Sequence, residues 1–556
     1  MRTMKKWIAL LLCFCLLLSG CAETENGTSE APAENPAVGE ETGKDAFEAP
    51  AMAAPDVSGA SVLTLADDGI TLDGEAVTDD SSAAVYTAND IVFYPEGKDF
   101  TFGEGTEADE HSQEEADAHT VVHITQPGAY VLTGSLSAGQ IAVDLGEEAE
   151  EDPNAVVTLV LDNVDITCTV APAVIFYNVY ECGSKDVETA THEVDTSAAG
   201  ANVIIADDSK NNIAGSYVAR IYKSIELSED GTEVVDSKKL HKYDAAFYSK
   251  MSMNLFGGEK GTGTLNISAE NEGLDTELHL TINGGNINIT SGNDGINTNE
   301  DGVSVTTING GSLLINVSGT TGEGDGIDSN GWLVINGGQV IASACADSAD
   351  AGIDSELGIF VNGGQVIAGG NMLDRLEDGG QNYAVFTFSQ KQTGNELYSL
   401  QDENGTVVGQ WSLANDFTML VFSYPGLVPG TYTLWQGDTQ LSASSGGKMG
   451  SFGGGMMAQG GFEDGEGMTL PDGERPEGGL RREEIPEGEM PEKGERPEMP
   501  EGEIPEGELP EGMELPEDGE MRERPQGGGR GDMELSGGEV STDLTIVDGA
   551  NYFQIA

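Results

Sequence analysis

Residues 280–296 read LTINGGNINITSGNDGI. Whether this stretch is a hairpin or a coil depends on the Asn-Gly-Gly at its centre. Asn-Gly between short alternating apolar runs is ordinarily a strong hairpin signal. Four such hairpins would make an antiparallel array. The period points elsewhere. Asn-Gly-Gly returns at Asn283, Asn309, Asn336 and Asn362, with spacings of 26, 27 and 26 residues. Each repeat carries three short apolar segments, LTI, NIN and DGI in the first. Three segments suit one triangular coil of a parallel β-helix, with Asn taking the left-handed conformation at a corner and Gly tolerating it easily. A fixed period in this range means stacked units, because no unit can bury its own apolar side.

A second column travels with the first. It reads NEGLDTE from 271, NDGINTN from 293, GDGIDSN from 324 and DAGIDSE from 350. In stacked coils, equivalent positions lie about 4.8 Å apart. Asp275, Asn297, Asp328 and Asp354 then form one column, and Glu272, Asp294 and Asp325 another, with Asp350 close by. Like charges so placed repel by roughly 1 kcal/mol in water and about 3–4 kcal/mol at an effective dielectric of 20. A cation between rungs would turn that repulsion into a cross-link, and calcium–oxygen contacts of about 2.3–2.6 Å span the gap. Calcium is therefore expected at Asp275, Asp294, Asn297, Asp325, Asp328, Asp350 and Asp354. The competing local explanation is that Asp, Asn, Ser and Gly are simply turn formers. Neither the EF-hand loop nor the Gly-rich nonapeptide repeat matches.

The 556 residues include 97 acidic and 25 basic side chains, a formal net charge of −72, and 77 glycines. Such a chain is a poor partner for nucleic acid or an anionic membrane surface, both of which need a basic face. The glycines suit tight turns and short strands. No long stretch has helical periodicity, although 186–200 and 215–250 are ambiguous inserts.

Arg2, Lys5 and Lys6, an apolar run over 8–18 and Leu18-Ser19-Gly20-Cys21 form a targeting segment over 1–21. Its end resembles the lipobox of bacterial lipoproteins, which implies lipidation at Cys21 and a membrane contact through that anchor only. The location implied is the outer, extracellular face of the cell membrane. Residues 22–58 are Ala, Glu and Pro with little apolar content and read as a flexible tether. A β-helix is expected over 90–380 and a small antiparallel β unit over 381–442. A disordered, acidic Pro-Glu-Gly tail is expected over 443–540, and 541–556 reads as a possible docking strand. Cys168 and Cys182 could pair in an oxidising space, and Cys345 reads as a buried small hydrophobe.

The fold class expected is all-β, a right-handed parallel β-helix (a pectate-lyase-like solenoid). ITQPGAYVLTGSLSAGQIAVD from 124, VTLVLDNVDIT from 157, GTGTLNI from 261 and the four G-[IL]-[DN]-[ST] turns carry a resemblance. The chain resembles bacterial lipoproteins with a calcium-binding, parallel β-helix carbohydrate-binding domain over roughly 120–385. That resemblance implies binding of polysaccharide, cellulose-like or acidic and pectin-like, and carries calcium positions onto Asp294, Asp325, Asp328 and Asp354. This sequence departs from the pattern at Asn297, in the insert around 183–250 and in the long tail.

β-Helices also host lyases and polygalacturonases, so fold alone does not decide activity. A lyase of that kind needs a basic residue beside the uronate. Between Gly261 and Asp374 there are 15 acidic residues and no Lys or Arg. A hydrolase-like site needs clustered carboxylates with a nearby His, and His279 is the only His in the repeats. The expected function is non-catalytic polysaccharide binding, with no residue given a catalytic role and Trp332 as the aromatic placed to stack on a sugar ring. The alternatives are a structural surface spacer or adhesin, then a polysaccharide lyase or hydrolase.

Overall fold

The computed structural model describes residues 52–449, 533–535 and 538–556. The targeting segment with Cys21, the tether up to residue 51 and most of the acidic tail lie outside them.

The strands of successive repeats pair in parallel, in three ladders. The first holds Leu280–Ile282, Val305–Ile308, Trp332–Ile335 and Gly358–Val361. The second holds Asn286–Ser291, Ser312–Val317, Gln339–Ser343 and Gln365–Gly370. The third holds Glu272–Thr276, Ile296–Thr298 and Ile327–Ser329. The strands either side of Asn-Gly-Gly, Leu280–Ile282 and Asn286–Ser291, thus belong to different ladders, and the hairpin alternative is not what forms. The all-β class expected from the sequence is what the structure has. Its one α-helix among the described residues is the five-residue Gln113–Asp117, started by a capping box between Ser112 and Glu115.

Apolar residues stack rung over rung inside the ladders. Ile287, Leu313, Val340 and Val366 are in register, as are Leu274, Ile296 and Ile327, and all are buried. Each such side chain contributes about 1.5–3 kcal/mol on burial, which is why short strands of three residues persist here.

The corner chemistry differs from expectation. The left-handed residue is the second glycine of each Asn-Gly-Gly, not the asparagine. Gly285, Gly311, Gly338 and Gly364 have φ of 94°, 87°, 78° and 79°. The asparagines make a side-chain ladder instead. Nδ2 of Asn309 donates to Oδ1 of Asn283 at 2.9 Å, Asn336 to Asn309 at 3.0 Å, and Asn362 to Asn336 at 2.8 Å. A glycine reaches positive φ without the steric cost an L side chain carries, so the asparagine is left to bond its neighbour one coil away.

Parallel pairing also begins before residue 90. Ser61–Leu65 runs parallel to Gly128–Leu136 and is closed on its other side by the antiparallel Thr71–Leu72. SVLTL over 61–65 lies upstream of the 90–380 bounds expected for the β-helix. Upstream coils use Val157–Cys168, a twelve-residue strand that spans two ladders and joins them. The insert forms an antiparallel hairpin, Val218–Leu227 with Val234–Tyr243.

At the other end, Gln365–Gly370 meets Phe417–Ser423 antiparallel, which ends the parallel run. Tyr383–Gln392 pairs with that strand and, in parallel, with the terminal Ala550–Ile555. A second apolar core sits here around Trp411, Tyr398 and Phe422. Ala443–Ser445 is a strand on Ala550–Ile555, and Gly447–Met449 pairs with Met533–Leu535, so ordered backbone extends past residue 442 into both ends of the stretch expected to be disordered. Cys168, Cys182 and Cys345 are all free thiols, and burial pushes Cys168 up to about 11.

Candidate functional site

The strands of the third ladder deliver acidic side chains to one place. Glu272 opens the strand Glu272–Thr276, and its N–H donates to the carbonyl of Asp244 on the preceding coil at 3.0 Å. Asp275 is in register with Asn297, and Asn297 with Asp328, as the repeat spacing predicts. Oxygen atoms of Asp244, Glu272 and Asp275 all lie within 4.8 Å of one another, and all three residues are buried.

Their partners are few. Lys242 pairs with Asp244. Nδ2 of Asn299 donates to both oxygens of Asp275, at 2.8 and 3.0 Å. Nδ2 of Asn297 donates to Oε1 of Glu272 at 3.3 Å. Oε2 of Glu272 and Oδ1 of Asn297 are buried with no hydrogen-bond partner in the protein. A buried polar atom without a partner costs about 1–3 kcal/mol, more when charged. Burial, then the neighbouring Asp275 and Asp244 carboxylates, pushes Glu272 well above the usual carboxylate range. Burial and then Asp244 do the same to Asp275.

These atoms form an all-oxygen donor set of the kind that suits a hard divalent cation. The orphaned Oε2 of Glu272, one of the three carboxylates, and the orphaned Oδ1 of Asn297, whose amide bonds Glu272, also fit one. Asp244, Glu272, Asp275 and Asn297 are the residues that could hold it.

Asp328 continues the column of Asp275 and Asn297 on Ile327–Ser329, and the other expected residues gather on the adjoining turns, where local bonding accounts for more of the chemistry. Oδ1 of Asp294 accepts the N–H of Asp325 at 2.6 Å, and Oδ1 of Asp325 accepts that of Ala351 at 2.6 Å. Oδ2 of Asp350 accepts the N–H of Gly324 at 2.6 Å. Each carboxylate thus clips its repeat to a neighbouring one, Asp294 and Asp325 to the following repeat and Asp350 to the preceding one. Burial, then Asp354, Asp294 and Asp328, pushes Asp325 well above the usual range, and Asp294 is pushed up to about 7, chiefly by burial. The glycines between them permit the stacking, since a Cβ on Gly326 would lie 2.3 Å from the carbonyl oxygen of Gly352.

The structure therefore divides the expected residues into two groups. Asp275, Asn297 and Asp328 share one column, with Asp244 and Glu272 beside its first member, while Asp294, Asp325, Asp350 and Asp354 lie on the turns. Asp244 was not expected, because it lies in a stretch read as an insert. The signal is AAFYS at 245–249, the preceding strand of the third ladder, in register with Glu272–Thr276. Trp332 is half-buried at the start of Trp332–Ile335, on the outward face it shares with Val334.

Residues 118–372 match the family model of carbohydrate-binding domain-containing proteins. A carbohydrate-binding domain-containing protein of Acetivibrio thermocellus is 30% identical over 169 residues, which cover 30% of this chain. The match spans 44% of that relative's length. A solved structure of a polysaccharide lyase-like protein from C. thermocellum, a gadolinium derivative, aligns at a TM-score of 0.30 with 19% identity, over 55% of this chain and 92% of the other.

Proposed function

We propose that this protein is a non-catalytic, cell-surface polysaccharide-binding lipoprotein, whose three ladders are the faces of a right-handed parallel β-helix held by calcium. The observation that carries the reading is the coincidence of the carbohydrate-binding-domain match with the stacked coils and their buried carboxylates. Residues 118–372 include the whole repeat region together with Asp244, Glu272 and Asp275. The stacking supplies a long, regular surface of the sort an extended glycan can lie along. Calcium held by Asp244, Glu272, Asp275 and Asn297 would supply charge neutralisation, tying one coil to the next. On the turns, Asp294, Asp325, Asp350 and Asp354, with Asp328 on the neighbouring strand, would let a metal bridge the protein to a uronate carboxylate.

The lipobox-like end at Cys21 supports attachment to the outer face of the membrane. Among the described residues no helix is long and apolar enough to cross a membrane. The reading of no catalysis is supported by the absence of Lys and Arg between Gly261 and Asp374 and by the pairing of Lys242, the basic side chain that reaches the carboxylate cluster from the insert, with Asp244.

An affinity gel containing polygalacturonate or a cellulose-like glucan, run with calcium and with EDTA, tests the reading. Retardation on at least one of the two gels is expected, and on polygalacturonate it should disappear in EDTA. Unretarded migration on both would sink polysaccharide binding, and release of unsaturated or reducing-end products would replace it with an enzyme.

A further inference from the structure

The outward face of the first ladder carries a roofed cleft that the calcium reading does not use. Thr281, Thr307, Val334 and Phe360 stand in register on four successive strands, all on that face. At the ordinary strand spacing of about 4.8 Å this column runs about 14 Å along the stack. The segment 192–197, part of the insert, folds back over it and encloses about 740 Å³. That volume is within the range of small-molecule sites.

The roof is fixed in place. The Thr196 and Thr281 hydroxyls are 2.7 Å apart, Thr196 Oγ1 is 2.7 Å from Oδ1 of Asn254, and Nδ2 of Asn254 donates to the Thr196 carbonyl at 2.8 Å. The His192 ring stacks on Phe360 with centroids 4.1 Å apart and planes 16° from parallel. One wall is therefore an aromatic pair continued by Val334.

The other wall is polar and periodic. Asn309, Asn336 and Asn362 line it. Each Nδ2 uses one hydrogen on the asparagine ladder, and an amide nitrogen has two. Glu193 and Asp195 are exposed at the mouth, and no Lys or Arg is among the lining residues. An apolar wall facing a row of amides and carboxylates suits a molecule with a C–H face and hydroxyl edges. The two carboxylates repel an acidic one.

We propose that this cleft binds an uncharged glycan chain lying along the stack, without a metal ion. The proposal rests on the polysaccharide-binding reading and adds a place and a charge class to it. Sugar C–H groups lie against the wall formed by the His192–Phe360 pair and Val334. Hydroxyls donate to Glu193 and Asp195 and accept from the asparagine amides.

The test is titration of the full chain with cellohexaose, xylohexaose, mannohexaose and polygalacturonate, each with calcium and with EDTA. At least one neutral hexaose binds, and EDTA leaves its affinity unchanged. Phe360→Ala weakens that binding about tenfold, the effect of losing one aromatic contact of roughly 1.4 kcal/mol. Thr307→Trp, which fills the cleft from a half-buried position, abolishes it, and the melting temperature of each variant confirms folding. If a neutral hexaose binds and neither folded variant weakens it, the cleft is wrong while polysaccharide binding stands. Binding of polygalacturonate alone, or loss of the neutral sugar in EDTA, also overturns the cleft proposal only. If the wild-type chain binds none of the four, both readings fall.

Discussion

Asn297 donates from Nδ2 to Oε1 of Glu272 at 3.3 Å while its own Oδ1 and the other Glu272 oxygen stay buried without partners. Two acceptors closed off together in this way want a donor or a cation. Calcium at a hundred times its dissociation constant should stabilise the fold by about 2.7 kcal/mol. Glu272→Gln should lose most of that response, yet in EDTA it should be no less stable than the wild type, because it removes a buried charge. Thermal melts of both proteins, with calcium and with chelator, check this. An unchanged calcium response in the variant would remove Glu272 from the site.

The asparagine ladder makes a separate prediction. Asn309 gives one ladder bond and receives another. Asn309→Ala removes both, which should cost about 1–3 kcal/mol at roughly 0.5–1.5 kcal/mol per bond. Denaturant melts would show a lower midpoint with an unchanged slope. A midpoint equal to wild type would mean that the ladder is decorative.

Gly311→Ala should be worse than its size suggests. The residue sits at φ of 87°, and a Cβ there would lie 2.6 Å from the carbonyl oxygen of Gly285. Strain of this kind costs about 1–3 kcal/mol before the backbone clash is added. Soluble yield and melting temperature should both fall, whereas Gly379→Ala, with φ of 98° and open space around it, should show only the backbone part.

His279 provides the pH test. It is buried, its Nδ1 accepts the N–H of Val305 at 3.1 Å, and burial lowers its pKa from 6.5 to about 4. A depressed folded pKa means that the unfolded chain binds the proton first. The stability is complete above 6.5 and is lost as pH falls toward 4, by roughly 3 kcal/mol in all. His279→Gln should flatten the dependence between pH 6.5 and 4 relative to wild type. Parallel curves would show that the imidazole does not carry it.

Much of this is legible because stacked repeats leave a periodic trace. The spacing of Asn283, Asn309, Asn336 and Asn362 marks the coil, and the register of Asp275 with Asn297 and Asp328 follows from the second column. What was hidden was conformational or non-local. Asn and Gly both tolerate left-handed backbone, so the motif does not say which one adopts it. Asp244 reaches Glu272 only through the coil before the repeats, whose strand AAFYS lacks the Gly-Ile-Asp signature. The cleft over Phe360 needs a segment from 192–197, which no local pattern links to that face.

The ends of the ladders matter beyond the molecule itself. A run of parallel strands presents an open edge at each terminus, and an open edge is a template for another copy. Here Thr71–Leu72 closes one side of Ser61–Leu65, and Phe417–Ser423 crosses Gln365–Gly370 in the opposite sense. Neither Ser61–Leu65 nor Gln365–Gly370 is left as a free parallel edge on which a second copy could extend its ladder.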